Sequence, residues 1–482
     1  MGALDHIKVI DFGHYIAGPL AGMLLADQGA DVIKIDPPGG PRWDSPANAT
    51  WNRGKRSITL DLKTSADLQT AKSLITTADV VVENFRPGVM EKLGLGNKKA
   101  LIDNPRLVYC SIPGFANDDD RSGIQAYEGI LGASAGTYRP MASSGGKPVY
   151  TAIPIASTYG AFQSVVAITM ALNARERDGV GQYIEMPLFD SMFQSIGHHG
   201  LRVHNAPPAG PTLGDLWGGI YRCKDGEWVR FGGPGNQNFR PFVELAGITS
   251  WDSEGLTDFN VPLDDPGFTA MVTDRINELF MTRTAQEWEN LIAEAGSEGS
   301  VCRTSAEWFE HPHARESDMV VEVEDQVLGK MLQPGINARM SLTPGKVRGP
   351  APTPDQHRVE ILAELKAVSS PVNVTSIEDT LRNALEGIKV LDLCIILAGP
   401  TMGRTLGEYG ADVIKIDNPK RGSFVARHND INRGKRSILL DLKSEEGRDI
   451  FWKMLEEADV VAQNYRAGAV QKLGLSYEEV SK

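Results

Sequence analysis

Three short stretches concentrate the groups that could hold an anion. An apolar strand pattern, IKVIDF at 7–12, runs into GHYIAGP and then into a helical pattern near Pro19. A strand that enters Gly-Pro at a helix N-terminus turns backbone N–H groups toward one point, where a phosphate or pyrophosphate can sit. The same pattern also describes an ordinary strand-to-helix turn, so it does not decide alone. NRGKRS at 52–57 gathers Arg53, Lys55 and Arg56, either as a solvated surface loop or as an anion site. ENFRPG places Asn84, Phe85 and Arg86 at the C-terminal end of an apolar strand, the end at which open α/β sheets take ligands. An aromatic face beside a guanidinium suits a purine ring or a phosphate. No G-x-G-x-x-G follows the first strand, and no G-x-x-x-x-G-K-[ST] occurs, which argues against dinucleotide and P-loop enzymes.

These stretches need a sheet to position them. ADVIKID (30–36), SITLDL (57–62), VVVEN (80–84), RLVYCSI (106–112) and GQYIEMPL (181–188) read as further strands. Between them, Leu20, Met23 and Leu24 share a helical face, as do Leu68, Ala71, Leu74 and Ile75 within 65–78. Residues 160–176 read as a long helix around the core run VVAITMAL (165–172). Strands alternating with helices at this spacing predict an α/β fold, a largely parallel sheet with helices on both faces. The character changes at YRCKDGEWVRFGG (221–233), two short strands about Asp225-Gly226, which signals a hairpin and opens a smaller α+β unit running to about residue 335. A Pro-rich stretch, 343–357, then leads into a closing helix, VEILAELKAV.

The chain also repeats itself. GADVIKID at 29–36 returns unchanged at 410–417, an offset of 410 − 29 = 381. NRGKRSI at 52–58 returns at 432–438, an offset of 432 − 52 = 380, and ADVVVENFRPGVMEKLGLG (78–96) is echoed by ADVVAQNYRAGAVQKLGLS (458–476). Three ordered blocks at so long a period read as a domain duplication. Lys482 answers to Ile102 (482 − 380 = 102), so the sequence holds no second counterpart of 103–366. Either it is a fragment of a longer tandem protein or the second copy has degenerated.

Composition narrows the class. The formal charge is 49 − 62 = −13 with no long basic run, so nucleic acid and anionic membrane are not expected partners. The four cysteines, Cys110, Cys223, Cys302 and Cys394, are scattered, which fits a reducing compartment rather than a disulfide framework or a zinc site. His198-His199 and His311/His313 lack carboxylate or cysteine partners at ligand spacing, so no metal is expected. The opening MGALDHIKVID has no signal pattern and no apolar run approaches the ~18 residues of a membrane span, so the expectation is a soluble cytoplasmic protein.

His14-Tyr15-Ile16-Ala17-Gly18-Pro19, the 29–36 block, Asn52 to Lys63, Ala78 to Gly88, the Gly179–Gln182 stretch and the late PDQHRVEILAEL stand in the order found in family III CoA-transferases. The chain resembles that family over nearly all of the first copy and all of the second. In tandem order it is similar to the fused double-domain members that include the dimethylsulfoniopropionate CoA-transferase/lyases. The resemblance implies a Rossmann-like large domain, a smaller α+β domain and interlaced dimers, so a homodimer or an intramolecular pseudo-dimer is expected. It implies a large CoA-binding domain at 1–200, a small domain at 201–334, a return segment at 335–366, a linker with a short helix at 367–384, and the start of a second copy at 385–482. It implies coenzyme A as substrate, with an acyl-CoA and a small carboxylic acid as partners. The CoA contacts it implies are His14, Tyr15, Ile16, Ala17, Asn84, Phe85, Arg86, Val89, Lys92 and Leu93, with a glycine loop over the active site at Gly232, Gly233 and Gly235.

The pattern breaks at the nucleophile. Family members carry an aspartate in Asp-x-x-x-Gly before the long helix, which attacks the thioester and passes through an acyl anhydride and an enzyme–CoA thioester. Here the segment reads IPIASTYGAF, and the position four before Gly160 is Ala156. Ser157 and Thr158 offer hydroxyls without a nearby base. Glu128, at a family position that faces the active site, is the remaining candidate catalytic carboxylate, and Asp190 reads as a structural helix N-cap. The alternatives are a 2-methylacyl-CoA racemase, whose histidine/aspartate pair neither the Tyr127 neighbourhood nor Ala156 supplies, and a CoA-binding protein without catalysis.

Overall fold

A computed structural model describes residues 1–43, 45–138, 147–197, 210–232, 239–367, 382–421 and 429–482. The described residues form two units, one of Met1–Arg202 with Val321–Lys482 and one of Val203–Val320. The smaller unit therefore ends at Val320 rather than near residue 335.

In the larger unit, β1 (Lys8–Asp11) leads into α1 (Ala17–Asp27), then β2 (Asp31–Asp36), β3 (Arg56–Thr59), α2 (Ser65–Thr76), β4 (Val80–Glu83), the single turn α3 (Val89–Lys92) and β5 (Val108–Ser111). The short α4 (Glu128–Ser134), the long α5 (Ile155–Asp178), β6 (Tyr183–Glu185) and α6 (Leu188–Ser195) follow. The sheet order is β3-β2-β1-β4-β5-β6 and every pairing is parallel, so the α/β expectation holds. The order reverses between β1 and β4, and a crevice at the C-terminal ends of two strands that diverge in this way is where such sheets bind ligands.

Burial on both faces follows from alternating side chains. Val9, Val32, Val80 and Val82 point to one face under Leu25 of α1 and Ala156, Ile168 and Ala171 of α5, while Ile10, Ile33, Ile58 and Val81 point to the other under Leu74 and Ile75 of α2. Helix α5, read from the sequence as a long helix around a core run, is long and apolar enough to cross a membrane by length and composition alone. Its Ala161, Ile168 and Leu172 belong to this core.

The smaller unit holds the expected hairpin, β7 (Ile220–Arg222) against β8 (Trp228–Phe231), with Gly226 at φ +89 in the turn, and adds β9 (Gly299–Val301) to the sheet. Its core is aromatic, built on Trp217, Phe231, Phe242, Phe280 and Trp288.

In the larger unit the hairpin of β10 (Val320–Asp325) and β11 (Gly329–Pro334) precedes α7 (Arg358–Ala367), whose Ile361 closes the α2 face. A second sheet follows, from β12 (Lys389–Asp392), α8 (Ala398–Glu408), β13 (Asp412–Asp417), β14 (Arg436–Leu439), α9 (Glu445–Leu455) and β15 (Val460–Ala462). Its order, β14-β13-β12-β15, matches β3-β2-β1-β4 strand for strand. The registers agree as well, Lys8 opposite Asp31 and Lys389 opposite Asp412. On the face of this sheet, Val390 and Val413 pack with Met170 of α5, and Arg177 donates to the Asn383 carbonyl at 3.2 Å.

Candidate functional site

The turn after β1 is fixed by two devices that the sequence showed only as recurring letters. Asp11 is fully buried, and its Oδ1 accepts the Gly13 N–H at 2.7 Å. Lys55 Nζ, equally buried, donates to Asp11 Oδ2 at 2.8 Å, to the Pro19 carbonyl at 2.8 Å and to Asn52 Oδ1 at 2.9 Å. Lys34 Nζ donates to the Gly13 carbonyl at 2.6 Å. Burial raises the Asp11 carboxyl, but the Lys55 and Lys34 charges outweigh it and hold it below its ordinary value. Burial pulls Lys55 down to about 8, which leaves it charged at neutral pH. An ion pair removed from water survives only when its remaining hydrogen-bonding capacity is satisfied, as it is here.

The second device is Asn84. Its Oδ1 accepts the His14 N–H and its Nδ2 donates to the His14 carbonyl, both at 2.8 Å. This clamp adjoins Tyr15, whose φ of +60 is costly for a residue with a Cβ, at about 1–3 kcal/mol. The second copy repeats both devices. Lys435 Nζ donates to Asp392 Oδ2 at 2.7 Å and to the Pro400 carbonyl at 2.8 Å. Asn464 clamps Ile395 at 2.8 and 2.7 Å, and Ile396 stands at φ +72, a position a β-branched side chain rarely tolerates. The same costly backbone conformation is therefore held by the same clamp in both copies.

The NRGKRS block therefore has a structural job. Arg53 is buried against Asp27 at 2.6 Å and reaches Gln333 and the Pro334 carbonyl. Arg56 is held by Asp31, Glu360 and Glu364. None of the three cations is left for an anionic ligand, so the anion-site reading of this block is corrected. The legible signal was that Asp11 recurs as Asp392 whenever Lys55 recurs as Lys435.

The residues expected to contact a ligand assemble at the ends of β1 and β4. His14 meets Phe85 edge-on at 5.1 Å between ring centroids. Burial, with the Lys34 and Arg42 charges, holds the His14 imidazole down to about 3, so it is neutral at physiological pH. Tyr15 is exposed and lies 6.4 Å from Trp43, which stacks on Trp51 at 5.1 Å. Ile16 supplies no capping side chain to α1, Ala17 begins it, and Gly18 packs so closely on Gly13 that a Cβ would lie 2.6 Å from the Gly13 Cα. Arg86 and Lys92 are exposed and have no ion pair among the described residues. Val89 and Leu93 bound α3, with Leu93 and Phe85 packed against the α2-side core. In the second copy an open cleft of about 570 Å³ is lined by Lys443, Arg448, Tyr465, Arg466, Gly468 and Lys472. Gly232 closes β8 with its N–H on the Glu298 carbonyl at 2.7 Å. Gly233, Gly235 and His198-His199 lie outside the described residues.

At the expected nucleophile position, Ala156 lies buried in the first turn of α5. That helix starts at Ile155, five residues before the expected 160, and Pro154 gives it no side-chain cap. The cap comes from Glu128, whose Oε2 accepts the Ala156 N–H at 3.1 Å and whose Oε1 accepts the Ser157 N–H at 2.7 Å. A carboxylate is the favoured group at a helix N-terminus, where unpaired N–H groups and the helix dipole attract negative charge. Asp190 is not the N-cap of α6, because Pro187 holds that place and Asp190 sits in the first turn. Among the described residues no group of three or more His, Cys, Asp or Glu could hold a metal.

Comparison with known proteins accords with this frame. The chain is 29% identical to the CoA-transferase/lyase DddD of Marinomonas sp. over 98% of its own length and 64% of the relative's. It therefore spans less than two thirds of that protein. It is 30% identical to the succinyl-CoA:mesaconate CoA-transferase of Haloarcula hispanica over 76% of its own length and 96% of the relative's. Among solved structures, a CAIB/BAIF family protein from Brucella suis superposes with a TM-score of 0.64 at 27% identity, covering 76% of this chain and 99% of that one. Rv3272 from M. tuberculosis superposes with a TM-score of 0.65 at 27% identity, covering 74% of this chain and 98% of that one. The profile of CoA-transferase family III matches residues 4–358 and again 385–482, and the chain belongs to that family.

Proposed function

We propose that the chain serves the transfer of CoA between an acyl-CoA and a carboxylic acid, and that its first copy holds CoA without supplying a covalent nucleophile. The observation that carries this reading is the α5 N-terminus, where Ala156 replaces the carboxylate and Glu128 is engaged as the helix cap. A covalent route needs a free carboxylate oxygen aimed at the thioester carbonyl. Both oxygens of Glu128 instead accept backbone N–H groups, which favours a structural role for it. The His14 to Ala17 turn, with Asn84 behind it, offers the N-terminus of α1 to phosphates, and Arg86 and Lys92 add the exposed cations that the buried NRGKRS block cannot give. Tyr15 and Phe85 flank the same turn and suit the apolar and aromatic parts of CoA. The neighbouring family members are named for succinyl-CoA and small dicarboxylic acids, so this class of donor and acceptor is the first to try. A homodimer or intramolecular pseudo-dimer, and a cytoplasmic location, belong to the same proposal.

The test is calorimetric titration with CoA and succinyl-CoA, run beside an assay for CoA transfer into mesaconate and glutarate. Binding that weakens at least tenfold in Arg86→Ala/Lys92→Ala supports the site. Absence of binding at millimolar CoA, or binding indifferent to that double substitution, overturns it.

A further inference from the structure

The two copies differ at one edge of their sheets. In the first copy β3 is an outer strand, and such an edge leaves a row of N–H and C=O groups without strand partners. Residues 350–364 cover it. The Pro350 carbonyl accepts the Gly54 N–H, His357 Nδ1 accepts the Ser57 N–H, and the His357 N–H donates to the Ser57 carbonyl, each at 3.1 Å. Asp355, at φ +63, accepts the Thr59 N–H on Oδ1 at 2.7 Å, and Arg358 donates to the Thr59 carbonyl at 2.7 Å. From α7, Glu360 and Glu364 hold Arg56 at 3.0 and 2.7 Å.

The second copy keeps the receiving side of this joint. β14 repeats β3 in register, and Gly434, Arg436 and Ser437 stand where Gly54, Arg56 and Ser57 do. The cover is not repeated among the described residues. Ser57 is buried and Ser437 exposed. The Arg56 side chain is 17% exposed, whereas that of Arg436 is 66% exposed and, among the described residues, pairs only with Asp412. Leu439, in the place of Thr59, is 65% exposed. The N–H groups of Ser437 and Leu439, equivalent to those that His357 and Asp355 take in the first copy, have no partner among the described residues.

We propose that the β14 edge is a docking surface for a partner polypeptide with the chemistry of residues 350–364. Such a segment brings a Pro-Asp-x-His-Arg turn that caps the outward groups of Ser437 and Leu439, and then a helix whose first two turns carry carboxylates for Arg436. Main-chain groups at a sheet edge supply affinity, and side chains at fixed register set the choice of partner. The charge favours this occupant. Edge-to-edge pairing of two copies of this chain would instead bring together the exposed Arg433 and Arg436 of both edges, and like charges across strands repel. The inference stands apart from whether either copy holds CoA.

The test uses the full chain and a fluorescein-labelled synthetic peptide of residues 350–367, followed by anisotropy. The expected result is saturable binding at one site, with protection from hydrogen exchange within residues 434–442. Binding to Arg436→Glu should be ~10-fold weaker and should recover with a peptide carrying Glu360→Lys and Glu364→Lys. Leu439→Pro, which deletes an outward N–H and no ladder bond, should weaken binding in the same way and keeps the test available if Arg436→Glu does not fold. No saturable binding at millimolar peptide, or equal binding by wild type and both variants, overturns the docking surface. Protection of 434–442 that rises with protein concentration in the absence of peptide also overturns it, in favour of pairing between copies of this chain.

Discussion

Replacing Lys55 with methionine separates the structural reading of the basic block from a ligand-binding one. Met keeps the apolar stem and removes the ammonium that Asp11, the Pro19 carbonyl and Asn52 share. Asp11, with a side-chain exposure of 0%, is left as a buried carboxylate without its closest cation, and loss of one partner of such a pair costs about 3–5 kcal/mol. The pH dependence reverses. In the wild type the Asp11 carboxyl is held low, so its contribution is present above the ordinary carboxylate range and is lost on acidification. In Lys55→Met burial is opposed only by Lys34 and the Gly13 N–H bond, so the folded carboxyl is expected to rise and stability to be lost as pH rises. Urea unfolding followed by circular dichroism at pH 4.5 and pH 8 should therefore show a gap between variant and wild type that widens toward pH 8. Adding Asp11→Asn should recover most of the loss at pH 8, because the uncompensated charge is gone. An unfolding midpoint equal to wild type, together with a sharp loss of CoA affinity, would refute this reasoning and return Lys55 to the ligand.

Three further outcomes follow from the same geometry. Asn84→Ala removes two hydrogen bonds of about 1 kcal/mol each from a strained turn, so denaturation should show a loss of about 2 kcal/mol, and calorimetry should show CoA affinity falling ~10-fold. Glu128→Ala uncaps α5 and should cost about 1–2 kcal/mol in unfolding experiments, the scale of a lost N-cap, whereas Glu128→Gln should cost less. His14, neutral from about pH 3 upward, should show no imidazole titration by proton NMR between pH 5 and pH 8.

The sheet was legible because its strands are short apolar runs at regular spacing, and the duplication supplied a second reading of β1 to β4. What escaped depended on contacts distant in sequence. Helix α5 was expected from residue 160 because nothing local caps Pro154, and its cap, Glu128, lies 28 residues before Ala156. GQYIEMPL was expected as one strand, yet pairing stops at Glu185 and Pro187 opens α6, a break that the missing proline N–H explains. Asp190 was expected to cap that helix and was displaced by the same proline. The basic block was ambiguous because charge alone does not say whether a cation faces water or a buried acid. Asp11 and Lys55, 44 residues apart, meet only through the fold. His14 and Phe85, which the family resemblance implies as contacts, do meet at the ends of β1 and β4, but the part Asn84 plays as the clamp on the turn was not legible.

The central claim is that the first copy holds CoA and offers no carboxylate for covalent chemistry. Incubation of the full chain with succinyl-CoA, rapid acid quench and peptide mass mapping of residues 103–366 test it most directly. The account predicts unmodified Glu128 and no acyl or CoA adduct on any carboxylate in that range, alongside measurable CoA binding. A CoA thioester on Glu128 would contradict it and restore Glu128 as the nucleophile of the first copy.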